Sequence, residues 1–116
     1  MPYIKLQTSV SLSEDKRKQL IASLSKILTE SIGKPERYVM AAVEDAMPIM
    51  MAGKYGEAAF ADVKSIGGLN SKVNTQITRQ LCALLEDLLE ISPNRIYVNF
   101  TNISAGDWGW NSDTFG

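Results

Sequence analysis

The sequence predicts an α+β fold: one four-stranded sheet with two helices on one face, built from two copies of a strand–helix–strand unit. Three observations carry this reading. Leu20, Leu24, Ile27, Leu28 and Ile32 match Ile77, Leu81, Leu84, Leu85 and Leu89 at a spacing of 57. Pro35-Glu36-Arg37 matches Pro93-Asn94-Arg95 at a spacing of 58. Each helical stretch lies between segments whose apolar residues alternate or run together, as strands do. Two amphipathic helices always align in some register, but a shared Pro-x-Arg ahead of a strand in both halves points to a true duplication.

The elements follow in order. Ile4, Leu6 and Thr8 alternate with Tyr3, Lys5 and Gln7, the pattern of a half-buried strand. Ser13 precedes Glu14 and Asp15, so its oxygen can cap a free N–H while the acids suit the positive end of the helix dipole. Gly33 ends that helix and Pro35 confirms the break. Tyr38 to Val43 is nearly all apolar and reads as a strand covered on both sides. Residues 44–57 contain Pro48, Gly53, Gly56 and several methionines, and read as a long loop. Phe60 to Lys64 alternates again as the third strand, and Gly67-Gly68 makes a turn. Asn70 or Ser71 caps the second helix, and Ser92-Pro93-Asn94 breaks it. Arg95 to Thr101 is the fourth strand, and the Trp- and Gly-containing tail reads as a short edge strand. Two helices cover only one face of such a sheet. The consecutive apolar run in the second strand therefore leads us to expect further copies of the chain against the other face.

Composition narrows the chemistry. With 116 residues the chain fits one domain, 1–116. A net charge of −1 gives no electrostatic footprint for nucleic acid or an anionic membrane. The absence of histidine removes the Ser-His-Asp triad, the Cys-His dyad and any His-ligated metal, so no metal is expected. The single Cys82 forms no intrachain disulfide, and it falls on the apolar stripe of the second helix. Four of the five methionines lie between Met40 and Met51 and read as packing. No apolar run approaches the roughly 20 residues of a membrane span. The N-terminus does not read as a signal peptide, which makes the expected location cytoplasmic. Ser65-Ile66-Gly67-Gly68 lacks the spacing of a nucleotide-binding glycine loop, and no cofactor is expected.

The remaining acids and bases are Asp, Glu, Lys, Tyr, Cys and the terminal amine. Pro2 stands out, because loss of Met1 would leave a prolyl secondary amine at the N-terminus. An α-amine titrates at about 7.7–8.0, far nearer neutrality than a lysine. Burial and a nearby lysine both lower it further, toward a neutral general base. The competing role of Pro2 is simply to begin an edge strand. Lys34, just past a helix end, either offsets the negative end of that helix or binds a substrate carboxylate. On the fourth strand Ile96, Val98 and Phe100 face one way, while Tyr97 and Asn99 point to the helix-free face.

Taken together, Met1-Pro2, Gly33-Lys34-Pro35, Ser65-Ile66-Gly67, Leu81 to Leu85, Ile91 to Asn99, Gly109-Trp110-Asn111 and Thr114-Phe115 resemble the macrophage migration inhibitory factor family of the tautomerase superfamily, over essentially the whole chain. The resemblance implies a homotrimer whose three sheets form a central barrel with the helices outside. It implies a keto–enol tautomerase for phenylpyruvate-type 2-keto acids and dopachrome-like compounds, with Pro2 as base once Met1 is lost. Lys34 matches the carboxylate-binding residue, Ile66 a residue whose backbone contacts substrate, and Tyr97 and Asn99 pocket residues from the adjacent subunit. Tyr3 beside the base, and Tyr38 and Phe115 at the rim, complete the implied pocket. Trp108 stands where the family often has a smaller aliphatic residue, and it either narrows the site or stacks on an aromatic substrate. Ala58 and Ala61 stand where many animal members carry a Cys-x-x-Cys pair, so thiol–disulfide activity is not expected. Some relatives act as cytokines released without a signal peptide, which makes a receptor-binding signalling protein the alternative reading.

Overall fold

The structure is a computed structural model describing residues 1–116. Its main sheet has strand order β2-β1-β5-β6, formed by Met40–Glu44, Tyr3–Thr8, Ala59–Ser65 and Ile96–Asn102. β1 and β5 run antiparallel at the centre, and each carries its own parallel partner outside it, β2 and β6 respectively. Each parallel pair is joined through a helix: α1 (Glu14–Ile32) in the first half and α2 (Ser71–Leu89) in the second. The duplicated unit read from the sequence is therefore the architecture of the sheet.

The helices form where local chemistry starts and stops them. Ser13 accepts from the Lys16 N–H at 3.2 Å, and Asn70, rather than Ser71, accepts from the Val73 N–H at 2.9 Å. Gly33 closes α1 in the left-handed conformation at φ 77°, its N–H donating to the Thr29 carbonyl at 3.0 Å. The matching position after α2 is Glu90, which holds the same conformation at φ 57° without the freedom of glycine. Leu20, Leu24 and Leu28 from α1 and Ile77, Leu81 and Leu85 from α2 meet Ile4, Leu6, Ala61 and Val63 from the sheet, all without solvent exposure. Thr8 and Ser65 are the polar residues buried on this face, and the Thr8 hydroxyl donates to the Ala58 carbonyl at 2.8 Å.

Three expectations change. The second strand begins at Met40, since Glu36–Tyr38 is a turn of 3₁₀ helix, and it is an edge strand of the sheet with Met40 exposed in the single chain. Val39, Ala41 and Val43 pack against the core while Met40, Ala42 and Glu44 share the other face, so the apolar run conceals an alternation. The segment read as a long loop contains a hairpin, β3 (Met50–Met51) with β4 (Lys54–Tyr55). Its turn is made by Ala52 and Gly53, both at positive φ. The tail does not join the main sheet. It folds on itself as β7 (Gly109–Trp110) with β8 (Asp113–Thr114), turning through Asn111 and Ser112 at φ 52° and 66°.

The helix-free face is mostly polar. The register sets Lys5 beside Asp62 and Asp62 beside Asn99, and sets Gln7 beside Phe60 and Phe60 beside Tyr97. Lys5 pairs with Glu44 at 3.5 Å and Lys64 with Asp62 at 3.4 Å.

Candidate active site

Pro2 lies one residue before β1. It is wholly buried, and its carbonyl accepts from the Met40 N–H at 3.0 Å, fixing the chain end to the edge strand. Around this end the 3₁₀ turn, the start of β2 and the tail hairpin enclose a cleft of about 460 Å³. Its aromatic walls are Tyr38, Trp108, Trp110 and Phe115, with Met1, Pro2 and Arg37 at the chain end and rim. The tail holds its shape by two contacts. Trp110 stacks on Phe115 with ring centroids 5.7 Å apart, and the Phe115 N–H donates to the Trp108 carbonyl at 3.2 Å.

The terminal amine is held below its usual range, first by burial and then by the charge of Lys34. Lys34 is half-buried and in no ion pair, following Gly33 at the end of α1. The turn after β5 is pinned against the same helix end. A Cβ at Gly68 would come within 2.8 Å of the Ile32 side chain, and φ there is 81°. Ser65 is wholly buried beside this turn, and its hydroxyl has no protein partner. The β1–β5 register, continued one step beyond Tyr3 opposite Lys64, sets Ser65 across from Pro2.

Four candidates read from the sequence, Pro2, Tyr38, Trp108 and Phe115, meet in one cleft. Lys34 is close enough to act on the terminal charge, though it is not part of the cleft wall. Tyr3 lies outside the cleft, in a neighbouring depression behind Trp108 with Lys64 and Ile103. Half-buried Ile66 does not line the cleft either. Tyr97 and Asn99 are remote from the Pro2 of their own chain. By register Tyr97 lies two strands over and level with Gln7, and Asn99 is level with Lys5. At about 3.3 Å per residue and 4.8 Å per strand, that places them about 20 Å and 14 Å away. Arg37, Met40 and Trp110 line the cleft without having been singled out as site residues. The signal for Arg37 was present in the repeated Pro-x-Arg. Met40 and Trp110 reach the cleft only through the edge position of β2 and the folding of the tail.

A fold of two β-α-β units, with the chain end buried at an aromatic cleft under the influence of a lysine, defines a recognisable class of protein. The sequence profile of the macrophage migration inhibitory factor family matches residues 1–116, and the chain belongs to that family. It is 33% identical over 115 residues to macrophage migration inhibitory factor from Meriones unguiculatus, covering 99% of each chain. It is 32% identical over 116 residues to the homologue from Brugia malayi, with both chains covered in full. Among solved structures, the homologue from Prochlorococcus marinus superimposes with a TM-score of 0.93 at 36% identity, covering 98% of this chain and 99% of that one. The Entamoeba histolytica protein gives a TM-score of 0.94 at 33% identity, with 98% of each chain covered.

Proposed function

We propose that the protein is a keto–enol tautomerase for phenylpyruvate-type 2-keto acids, with the nitrogen of Pro2 as general base after removal of Met1. The observation that carries this is the lowered terminal amine at the aromatic cleft. Removing Met1 transfers that amine one residue inward, from a half-buried position to a wholly buried one. The desolvation that lowers it then increases, because the charged form loses more solvation than the neutral form. In its neutral form the secondary amine removes the proton on the carbon next to the keto group and returns it to the enol oxygen, or the reverse. Lys34 binds the substrate carboxylate and helps keep the amine uncharged. The rings of Tyr38, Trp108 and Phe115 hold the aromatic end of the substrate. Positioned proton transfer supplies about 10²–10⁴-fold, and substrate orientation and exclusion of water supply the rest.

Within this reading the working unit is a homotrimer, with the three sheets around a central axis. Its support is the remoteness of Tyr97 and Asn99 from their own Pro2, together with two unpaired sheet edges and the exposure of Met40 (65%) and Tyr97 (62%). An adjacent copy supplies Tyr97 and Asn99 to each cleft, where they orient the substrate. The backbone of Ile66 is assigned to substrate contact, and Tyr3 to supporting Trp108 from behind.

The test follows loss of enol absorbance with phenylpyruvate. The protein lacking Met1 is expected to be active, and the Pro2→Gly variant and a form with one added N-terminal residue to lose most of the rate. An unchanged rate in the extended form removes the terminal amine as base. A monomer mass by light scattering at micromolar concentration removes the shared pocket.

A further inference from the structure

Resting on the tautomerase reading above, we propose that Arg37 is a specificity-determining residue. It binds a second carboxylate at the far end of the substrate, so the preferred substrate is an aromatic 2-keto acid bearing a distal acid group. The argument comes from the repeat within the chain. Arg95 closes the 3₁₀ turn of the second half, and its guanidinium is committed to protein. Nε donates to the Glu57 carbonyl at 3.2 Å, Nη1 to Met51 at 2.9 Å and Nη2 to Lys54 at 3.1 Å. These three carbonyls belong to the β3–β4 hairpin and the segment just after it, which Arg95 thereby ties to the sheet.

Arg37 is the sequence match of Arg95 in the first half, the middle residue of a 3₁₀ turn that follows Pro35, whereas Arg95 ends a turn that begins at Pro93; each turn leads into a strand parallel to the first strand of its half. Instead of a hairpin, it faces the cleft beside Pro2. Its guanidinium carbon lies 4.7 Å from the centre of the Tyr38 ring, which orients it. Its one hydrogen bond is a long one of 3.5 Å to the Tyr38 hydroxyl, and no carboxylate lies within ion-pair distance. The neighbouring Glu36 is engaged elsewhere, accepting from the Ser25 hydroxyl at 2.9 Å. The walls of the cleft carry no acidic side chain. Lys34, near enough to act on the terminal amine, and Arg37, on the cleft wall, are therefore two cations without acidic partners, three positions apart in the chain. A planar, permanently charged donor fork suits a carboxylate, with two parallel hydrogen bonds. A cleft of this volume accommodates a substituted phenyl keto acid.

The experiment compares phenylpyruvate with its 4-carboxy derivative, which differs only at the distal end. Binding is read from the fluorescence of Trp108 and Trp110, and turnover from enol absorbance. The wild type is expected to hold the 4-carboxy compound about tenfold more tightly than phenylpyruvate, since hydrogen bonds to charged groups are worth this much at a partly exposed site. Arg37→Gln should abolish the preference, Arg37→Lys should retain part of it, and Arg37→Glu should reverse it. A preference that is absent from the wild type, or unchanged in Arg37→Gln, overturns the role of Arg37 whatever the turnover. Binding that follows Arg37 while neither compound is turned over upholds Arg37 and overturns the tautomerase reading instead.

Discussion

Replacing each repeat arginine with methionine should have very different consequences for stability. Methionine keeps the aliphatic stem and removes the donors. At Arg95 three hydrogen bonds are lost, at 2.9, 3.1 and 3.2 Å. Those to Lys54 and Glu57 are exposed, so water replaces the guanidinium and each loss costs about 0.5 kcal/mol. The bond to Met51 is part-buried, and losing a charged donor there costs about 1–2 kcal/mol. Arg95→Met should therefore destabilise by about 2–3 kcal/mol. Arg37 is exposed and gives up its stacking on Tyr38, worth about 0.5–1 kcal/mol, and a long, exposed hydrogen bond to the Tyr38 hydroxyl that water replaces. Urea unfolding of all the variants at one protein concentration reads both values. Hydrogen exchange should also show the amides of residues 50–57 losing protection in the Arg95 variant alone. Equal losses at the two arginines, or a loss below about 0.5 kcal/mol at Arg95, would refute the division of labour between them.

Further outcomes follow from the same geometry. Leu24→Ala opens a void among wholly buried neighbours and should cost about 2–5 kcal/mol by urea or guanidinium unfolding. Glu90→Gly relieves a left-handed residue at the end of α2 and should stabilise by about 0.5–1 kcal/mol, read as a higher denaturant midpoint at unchanged slope. If the amine is the base, kcat/KM for phenylpyruvate should rise with pH as the amine loses its proton and then level off. In Lys34→Ala a nearby positive charge that disfavours protonation is gone, so the amine pKa rises and the profile shifts toward higher pH. It should stop short of an ordinary α-amine, because Pro2 stays wholly buried and burial by itself lowers an amine. A profile that does not move would separate Lys34 from the amine.

The repeat was legible because its signals are local. Helical spacing of leucines, a capping hydroxyl at Ser13 and a terminating Gly33 act within a turn or two of chain, and the matched Pro-x-Arg segments each fall at a 3₁₀ turn before a strand, offset by one residue. The errors fell where pairing partners decide. Tyr38 to Val43 read as strand throughout, although Tyr38 belongs to the 3₁₀ turn, since one apolar run serves equally for an interior strand and for an edge strand with alanine on its open side. The β3–β4 hairpin is two residues per strand, too short for any periodicity to register, and a lateral clamp from Arg95 helps hold it to the sheet. Pro2 was singled out by its chemistry, and it lines the cleft. Arg37 carried a signal in the repeated Pro-x-Arg, while Met40 and Trp110 carried none, because only the edge of β2 and the folded tail bring them there.

By itself, then, the sequence determined the two β-α-β halves, the face each helix buries, the absence of histidine chemistry and the candidacy of the chain end, all consequences of residue type and short-range spacing. The tertiary structure decided which strands lie at the edges, where the tail folds, and that two arginines at matched sequence positions meet different surroundings. The physical reason is that a guanidinium has the same donors wherever it sits, and only the acceptors brought near it by distant parts of the chain determine whether those donors are satisfied.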